Sequence, residues 1–443
     1  MGKAVTRHPI RRLLSLPGRV ASEYSRRPLY SFIQSPPSVE EIAASRDLVG
    51  SSSPAIVTAF ETSFALTVGT GTAASFASGR MAFYSLLKTL AIGSGDEVIL
   101  PGSTCSVMVN AILRSGATPI FSDIASATFG SDPHSIECAL TPRTRMIVAQ
   151  HSFGYPCDIT SIMALADRAG VFVLEDCATS VGSRIEGTQV GNFGHAALFS
   201  TDHTKPLNTL VGGLIYSQNP ELVGELQALA NNSPELPTEK QRAMWERLQS
   251  ESRHRSPGAQ WKLGTSDALA GPIARLTHPT SPFLTEDYLP KSDDGTYPYP
   301  ARMPTFLASL GIGKVQAWPH LRTQRVAAMV TLLAAVRATP SGHYLPSVLS
   351  EPTVEIVPLR LAWAEPDAAR IRHQLRRFTT SEATWFMSPI VATSAPAEDF
   401  GYQWGSCPIA EATGPMMVNL PIPENDGDTL RLAELVKQAL NSP

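Results

Sequence analysis

The chain has 443 residues, of which 43% are hydrophobic and 17% are charged. This length and composition predict a globular protein with one large and one smaller domain, and they exclude a disordered chain. The formal net charge of −3 gives no electrostatic reason to expect nucleic acid as a partner. Five scattered cysteines without a Cys-x-x-Cys pair argue against a disulfide framework or a metal site. We therefore expect a protein of the reducing cytoplasm.

The N-terminal segment is a basic arm. Residues 1–30 carry seven Lys or Arg and one acidic residue. Pro9 and Pro17 interrupt the apolar run that a secretory signal requires, and no apolar run reaches the roughly 18 residues that span a bilayer. Two interpretations remain, and we favour packing of the arm on the protein or a partner subunit over contact with an anionic membrane surface.

From residue 79 onward the sequence alternates between helical and strand patterns. Residues 80–91 have apolar positions at helical spacing. Short apolar runs predict buried strands at 97–101, 118–123, 145–151, 171–176, 195–200 and 212–217. Helices are predicted at 103–115, 133–140 and 158–169, and Asp132-Pro133 opens the second of them. This alternation predicts an α/β fold with a mostly parallel central sheet and helices on both faces.

The second half of the chain is less regular. Residues 219–300 are rich in Pro, Ser, Thr and charge, and we interpret them as a long excursion from the core with a helix near 236–252. A long helix is predicted at 304–338, with a break near Pro319. The remaining pattern predicts strands at 353–363 and 384–390 and helices at 366–378 and 427–440. We therefore expect an arm (1–50), a large domain (51–325) and a small α+β C-terminal domain (326–443).

Two residues are candidates for cofactor chemistry. Asp176 ends a predicted strand, so its carboxylate is expected at the sheet edge where open α/β sheets bind ligands. A carboxylate there can keep a bound pyridine nitrogen protonated, although capping of the next helix is the common alternative. Lys205 follows the predicted strand 195–200. Such a lysine can form a Schiff base when burial favours its neutral amine, whereas a solvated surface lysine is the ordinary alternative.

Two glycine-containing segments indicate close contacts of the backbone. Gly212 and Gly213 precede an apolar strand, which is typical of a close backbone approach to another group. The segment 78–81 opens a helix, and helix N-terminal amides bind phosphate. Taken alone this second feature is weak, because most helix starts bind nothing.

Together these segments resemble the DegT-type nucleotide-sugar aminotransferases, which are pyridoxal-phosphate (PLP) enzymes of fold type I. The stretches that carry the resemblance include SGRMAFYSLL (78–87), VLEDCATSVGS (173–183) and VGNFGHAALFSTDHTK (190–205). The similarity covers about 78–217 and returns at 301–318 and 407–425.

The resemblance implies a role for each matching residue. Lys205 would be the Schiff-base lysine and the general acid and base, and Asp176 would be the partner of the pyridine nitrogen. Ser200 would bind the phosphate with its hydroxyl, and Arg80 and Met81 would bind it with their backbone amides.

Four positions depart from the family pattern. Arg80 replaces a Thr or Ser, Cys105 replaces the aromatic residue that stacks on the pyridine ring, and Thr179 replaces a Gln or His. Pro300 stands where the family has an Asn that reaches the partner subunit's site. A cysteine offers less stacking area than an aromatic ring, whereas Arg80 adds a charge near the phosphate. The substrate-facing positions are therefore altered.

Four other residues are candidates for substrate or interface contacts. His203 is either a contact to cofactor or substrate or a polar loop residue. Arg302 either binds a phosphate or carboxylate at the dimer interface or pairs with an acidic side chain. His151 and Tyr155 are candidates for lining the pocket.

The resemblance implies ping-pong transfer of an amino group from glutamate or glutamine to a keto-sugar. The acceptor would be nucleotide-linked, in amino-sugar, glycan or secondary-metabolite biosynthesis. The alternatives are another PLP reaction on the same scaffold, such as dehydration or amination of a non-sugar ketone, and a non-catalytic regulator or scaffold. Retention of Asp176 and Lys205 argues against the last. The family builds its active site at a two-fold interface, so a homodimer is expected.

Overall fold

The computed structural model describes residues 33–254, 281–290, 295–376, 378–379 and 385–441. Its helices are α1 (Val39–Ala44), α2 (Pro54–Val68), α3 (Gly79–Thr89), α4 (Ser106–Ser115), α5 (Pro133–Ala139), α6 (Ile159–Ala169), α7 (Pro220–Asn232), α8 (Thr238–Arg253), α9 (Thr305–Arg337), α10 (Ala368–Leu375), α11 (Pro408–Met416) and α12 (Asp426–Asn441). Its strands are β1 (Thr72–Phe76), β2 (Glu97–Pro101), β3 (Thr104–Cys105), β4 (Thr118–Ser122), β5 (Thr144–Gln150), β6 (Phe172–Asp176), β7 (Arg184–Ile185), β8 (Thr188–Gln189), β9 (Ala196–Ser200), β10 (Gly213–Ser217), β11 (Val354–Glu355), β12 (Arg360–Ala364), β13 (Ile390–Val391) and β14 (Met417–Pro421).

The core of the protein is a seven-stranded sheet in the order β1-β10-β9-β6-β5-β2-β4. The strands from β9 to β4 are parallel, whereas β10 pairs antiparallel with β9 and β1 pairs antiparallel with β10, so β10 alone of the seven strands runs in the opposite direction. Parallel pairing of β6 and β9 brings the carboxyl ends of both strands, with Asp176 and Ser200, to the same edge of the sheet. The predicted α/β fold with a mostly parallel sheet is confirmed.

Successive residues of a strand point to opposite faces of the sheet. Because both faces of this sheet carry apolar side chains, helices cover both of them. Ile147 and Val173 pack in one hydrophobic cluster with apolar residues of α5 and α6. Met146 and Val148, the neighbours of Ile147 along β5, pack in a different cluster with apolar residues of α3 and α4. Continuous apolar runs in β5 and β6 follow from this two-sided burial.

The predicted helix starts are confirmed by their caps. Asp132 accepts a hydrogen bond from Ser135 N–H (2.8 Å), and Pro133 is the first residue of α5. Ser78 caps α3 in the same manner. The sequence pattern did not predict α2, β1 or the short β7–β8 hairpin.

The predicted break at Pro319 is wrong, because α9 runs without interruption through this residue. A proline inside a helix costs about 3 kcal/mol, but both halves of α9 are held by packing. Val315 and Trp318 pack in the large hydrophobic cluster, and Met329 and Leu332 pack in the cluster of the C-terminal region. Burial of both halves outweighs the lost backbone hydrogen bond.

The C-terminal region has less strand than predicted. The predicted strand 353–363 is split, because the intervening Val357 and Leu359 donate N–H groups to Ser183 Oγ and Phe153 O. β12 then pairs with β14. The predicted strand 384–390 is also wrong: residue 384 lies outside the described residues, and only β13 forms at its end. Phe386 has φ +61°, a left-handed conformation that interrupts an extended strand.

The excursion 219–300 begins with α7, which the sequence pattern did not predict, followed by α8, which confirms the predicted helix near 236–252. A 3₁₀ turn, Thr285–Tyr288, lies near its end. Residues 255–280 and 291–294 lie outside the described residues, as does the basic arm up to residue 32. In the part of the chain that the structure describes, no helix is long and apolar enough to cross a bilayer. The domain limits at 50 and 325 stay predictions.

The glycine pair before β10 allows the close approach that the sequence indicated. A Cβ atom on Gly213 would lie 2.2 Å from Gly79 Cα, so only glycine lets the start of α3 rest on β10. A Cβ on Gly212 would lie 2.3 Å from Thr201 Oγ1. The position of the α3 N-terminus therefore depends on Gly213.

Gly213→Ala is expected to lower the free energy of unfolding by about 1–3 kcal/mol, because the new methyl group overlaps the backbone of α3. The matched control is Gly224→Ala on α7, where an added Cβ meets no atom within 4 Å. This control should be neutral or stabilise by up to about 1 kcal/mol. Urea unfolding followed by circular dichroism measures both variants, and equal stability of the two would contradict the packing described here.

Candidate active site

A cavity of about 440 Å³ opens at the carboxyl edge of the sheet. This volume lies within the range of small-molecule sites. Its walls come from strand ends, helix starts, the excursion and the C-terminal region, and the lining residues are Gly79, Arg80, Cys105, Val107, Met108, Gln150, Asp176, Ala178, Thr179, Leu198, Ser200, Asp202, His203, Thr204, Lys205, Arg247, Phe283, Thr285, Tyr288, Trp385, Phe386, Val391 and Ala392.

Lys205 reaches this cavity from a tight loop between β9 and β10. Its backbone N–H donates to Asp202 O (2.8 Å), and its side chain is 7% exposed. Burial lowers the pKa of Lys205 below its ordinary value, although Asp202, Cys105 and Asp176 act to raise it. The structure therefore favours the neutral amine more than water would.

Asp176 lies at the end of β6 and lines the same cavity. One carboxylate oxygen accepts Ala178 N–H (3.0 Å), and the residue is 6% exposed. Burial raises the pKa of the Asp176 carboxyl group, while Ala178 N–H and the charge of Lys205 act to lower it. The sequence placed an amine and a carboxylate together at this edge, and the structure brings both to one cavity.

The start of α3 and the end of β9 form a second polar part of the cavity. A Cβ atom on Gly79 would lie 3.8 Å from Ser200 Oγ, so the helix start and this hydroxyl are neighbours. The first N–H groups of a helix have no acceptor within the helix, and they bind anions together with the helix dipole. Gly79 and Arg80 line the cavity, whereas Met81 N–H faces Ser78 Oγ (3.4 Å), and the predicted contact of the Arg80 and Met81 amides with a phosphate stays a prediction.

The guanidinium group of Arg80 contacts the excursion. Its Nε donates to Asp287 Oδ2 (2.6 Å), Nη2 donates to Leu284 O, and the group lies 5.2 Å from the centre of the Tyr288 ring. Arg114 is a second cation near Asp287, 3.5 Å from Oδ1. Asp287 is 1% exposed, so this ion pair is buried. The positive charge of Arg80 therefore binds the excursion to the start of α3.

The excursion forms one wall of the cavity through Phe283, Thr285 and Tyr288. Lys240 on α8 supports this wall by donating to Ser281 O (3.1 Å) and Phe283 O (3.2 Å). Sequence analysis did not identify these wall residues. These residues lie in a segment without hydrophobic periodicity or a sequence motif, so a single sequence does not indicate which site they reach.

His203 lines the cavity and also has a protein partner. Its Nδ1 lies 3.0 Å from Glu251 Oε1, and its ring lies 5.0 Å from that of Phe283. Burial acts to lower the pKa of His203, but Asp202 and Glu251 outweigh burial and raise it. His203 therefore faces the cavity and is held by an acid on α8, and its contact with cofactor or substrate stays a prediction.

Arg302 lies away from the cavity and takes the acid-pairing alternative. It donates to Ser233 O (2.9 Å) and Asn231 O (2.5 Å) at the end of α7, and it lies 3.6 Å from Glu235. Pro300, the position of the family's asparagine, follows a cis peptide bond and is not among the lining residues.

His151 and Tyr155 do not line the cavity, which corrects the prediction for both. Each is 0% exposed. His151 Nδ1 accepts Cys157 N–H (3.0 Å), and its Nε2 faces Glu175 Oε2 (3.1 Å). Tyr155 binds both the carbonyl (3.1 Å) and the N–H (2.8 Å) of Ala362 and fastens β12 to the large domain. Their positions near the end of a strand therefore did not show whether these side chains line the cavity or support it from behind.

The only His/Cys/Asp/Glu group with metal-ligand spacing in the described part of the chain is His151, Glu175 and Cys177. The Glu175 carboxylate already accepts N–H groups from Gly191 (2.8 Å), Phe193 (2.8 Å) and Gly194 (2.7 Å). These donors use the lone pairs that a cation would need, so the group is a hydrogen-bonded support beneath the cavity.

The altered positions Cys105 and Thr179 both line the cavity. Cys105 precedes α4, and burial raises the pKa of its thiol. Thr179 donates its hydroxyl to His151 O (2.6 Å). Neither supplies a ring, and the aromatic surface of the cavity comes from the excursion and from Trp385 and Phe386.

The mostly parallel sheet, the small C-terminal domain and the lysine and aspartate at the sheet edge define a fold-type I transferase. The solved structure of DesV from S. venezuelae has the same fold, with a TM-score of 0.65 at 22% identity over 91% of this chain and 95% of that chain. The chain belongs to the DegT/DnrJ/EryC1/StrS aminotransferase family, whose model matches residues 49–430.

Two relatives show the sequence similarity. The spore coat polysaccharide biosynthesis protein SpsC of Bacillus subtilis is 40% identical over 171 residues, which are 39% of this chain and 44% of that protein. The UDP-N-acetyl-3-dehydro-alpha-D-glucosamine 3-aminotransferase of Acidithiobacillus ferrooxidans is 41% identical over 157 residues, 35% of this chain and 42% of that protein. Each match spans less than half the length of the relative.

Asp287→Asn is expected to lower the free energy of unfolding by about 3 kcal/mol or more, because it leaves Arg80 buried without its counter-charge. The matched control is Glu137→Gln, which removes a solvent-exposed pair with Arg168 (3.6 Å) and should change stability by less than about 1 kcal/mol. Urea unfolding measures both. An Asp287→Asn protein as stable as the control would contradict a buried pair.

Proposed function

We propose that this protein is a PLP-dependent aminotransferase that transfers an amino group from glutamate or glutamine to a nucleotide-linked keto-sugar. The observation that carries the proposal is the meeting of buried Lys205 and buried Asp176 in one cavity, next to the start of α3. Family membership supports the same reaction class.

The residues of the cavity fit PLP. The phosphate would bind the N–H groups at the start of α3 and the Ser200 hydroxyl, because both present donors to an anion. Asp176 would hold the pyridine nitrogen in its protonated form, and the Lys205 amine would form the Schiff base. When bound, PLP supplies an electron sink that stabilises a negative charge on the substrate carbon.

Lys205 also serves as the general base and acid. Its amine, when not bonded to the cofactor, would be able to take a proton from the substrate carbon and return it. Burial lowers the pKa of Lys205, so its neutral form is available nearer physiological pH than that of a solvated lysine.

The acceptor is assigned from relatives and from the cavity wall. The named relative from A. ferrooxidans is a UDP-sugar 3-aminotransferase, and SpsC takes part in polysaccharide biosynthesis. The aromatic rings of Phe283, Tyr288 and Trp385 offer flat apolar surfaces against which the C–H face of a sugar ring can pack. We therefore place the protein in amino-sugar and polysaccharide biosynthesis.

A second candidate is a different PLP reaction on the same scaffold. It is favoured by Cys105 and Thr179, which line the cavity at the positions where the family has a ring that stacks on the pyridine and a Gln or His side chain. Both candidates require PLP, and they differ in whether an amino donor converts the bound cofactor.

Lys205→Ala is expected to abolish the visible absorbance band that PLP gives with wild-type protein and that borohydride removes. It should also lower amino transfer by at least about 100-fold, because the proton-transferring group is lost. Lys88→Ala, at an exposed position late in α3, is the matched control and should keep the band. Absorbance spectra of the purified proteins with PLP measure this.

A wild-type protein without a visible band would contradict PLP binding and hence both candidates. A band that glutamate, glutamine and other amino donors all leave unchanged would contradict amino transfer and favour the second candidate. Conversion of the band by glutamate or glutamine supports the first.

We further propose a homodimer in the cytoplasm. Side chains of one subunit complete the cofactor site of the other in the family pattern, and closed two-fold symmetry is the common arrangement for such sites. All five cysteines are unpaired, as expected in a reducing compartment. Multi-angle light scattering of the PLP-loaded protein should give twice the chain mass of 47.5 kDa, and a monomeric PLP-loaded protein would contradict the dimer.

A further inference from the structure

The indole ring of Trp385 contacts two cations. Lys205 Nζ lies 4.4 Å from the ring centre, and Arg360 Cζ lies 4.5 Å from it. Trp385 and Lys205 both line the cavity. Arg360 is 2% exposed and is not among the lining residues, so its charge lies behind the cavity wall. The ring thus joins the cavity lysine to a buried guanidinium group.

The position of Arg360 is fixed by the sheet of the small domain. It is the first residue of β12 and pairs with Pro421 of β14. Its Nη1 donates to Asn419 Oδ1 (2.9 Å), and Asn419 is 1% exposed. A guanidinium group remains charged at all physiological pH values. A permanent positive charge is therefore held at a fixed place near the Lys205 amine.

The charges around Lys205 oppose each other. Asp202, Cys105 and Asp176 favour the ammonium form, whereas burial and Arg360 favour the neutral amine. A cation over an aromatic ring is stabilised by the ring, so the Trp385 contact alone also favours the ammonium form. Burial and the charge of Arg360 therefore favour the neutral amine of Lys205, against the effect of the carboxylates and the ring.

We propose that Trp385 and Arg360 are positioning residues for Lys205: the indole ring holds the ammonium form at the cavity wall, and the guanidinium group behind the ring favours the neutral nucleophile. This inference rests on the proposed function. The step concerned is formation of the C=N bond between the Lys205 nitrogen and the aldehyde carbon of PLP. The neutral amine provides the lone pair, and the aldehyde oxygen leaves as water with the two amine protons.

The rate of this step as a function of pH tests the proposal without measuring catalysis. Apoprotein is mixed with PLP in a stopped-flow instrument, and the growth of the visible band is followed across the pH range. In wild type the rate should rise with pH as the Lys205 ammonium loses its proton, and the midpoint reports the pKa of that group. Below the midpoint the rate falls about tenfold per pH unit, since only the neutral amine reacts.

Arg360→Gln removes the charge and keeps a hydrogen-bonding side chain, so the midpoint should move to higher pH. Two unit charges that share one ring lie within about 9 Å, and at an effective dielectric constant near 20 their interaction is worth roughly one pH unit. The rate below the midpoint should therefore fall roughly tenfold. Arg360→Lys keeps the charge and should retain the wild-type midpoint. A folded Arg360→Gln protein with the wild-type midpoint would overturn the proposal.

The variants of Trp385 test the role of the ring and still decide the proposal if Arg360→Gln does not fold. Trp385→Leu removes the ring, so the ammonium form of Lys205 loses its cation–π contact and the midpoint should move to lower pH by roughly 0.4–1.5 units. Trp385→Phe keeps a ring and should hold the midpoint closer to that of wild type. A folded Trp385→Leu protein with the wild-type midpoint would overturn the positioning role.

The same experiment separates this inference from the proposed function. If wild-type protein gives no band with PLP, the proposed function fails and this inference fails with it. If wild type gives the band and all variants at Trp385 and Arg360 react like wild type, only the inference fails. Near-ultraviolet circular dichroism identifies the variants that have lost their fold.

Discussion

The site depends on the burial of a single amine, that of Lys205, among carboxylates at the carboxyl edge of a parallel sheet. Burial disfavours the ammonium ion, and Asp202 and Asp176 favour it, so the amine lies between two opposing influences. The backbone around it is fixed by paired hydrogen bonds: Thr201 N–H donates to Gly212 O (3.0 Å), and His203 N–H donates to Leu210 O (3.0 Å). A rigid loop of this kind limits where the amine can go.

Close packing of the backbone connects this loop to the start of α3. Gly213 lets the start of α3 lie directly on β10, and this contact sets the helix amides beside Ser200 at the end of β9. The amine, the strand-end carboxylate and the anion-binding amides therefore occupy one edge because adjacent strands and one helix start are in van der Waals contact. The sheet places Asp176 and Ser200 directly, and a hydrogen-bonded loop between two of its strands places Lys205.

Much of this could be predicted from sequence, because Asp176, Ser200 and Lys205 follow strand patterns directly and parallel strands end together. The remainder could not, for a physical reason. Tyr288 and Trp385 reach the cavity from segments far away in the chain, and their placement depends on long-range packing rather than local periodicity. The same limit explains the wrong prediction of a break at Pro319, because packing of α9 on two hydrophobic clusters keeps the helix intact through a proline. For His151 the predicted position at a strand end was correct, but its side chain supports the site from behind the cavity wall.

The departures from the family pattern are connected with each other through this long-range packing. Arg80 brings a charge to the start of α3, and that charge binds Asp287, whose neighbour Tyr288 then faces the cavity. Cys105 brings no ring, and the rings of Tyr288 and Trp385 enter from the other sides. The substitution at position 80 and the excursion therefore act as one structural unit: without the arginine the buried carboxylate of Asp287 would lose its close partner, and without Asp287 the buried guanidinium group would lose its counter-charge. The wall of the substrate cavity follows from this mutual neutralisation of charge.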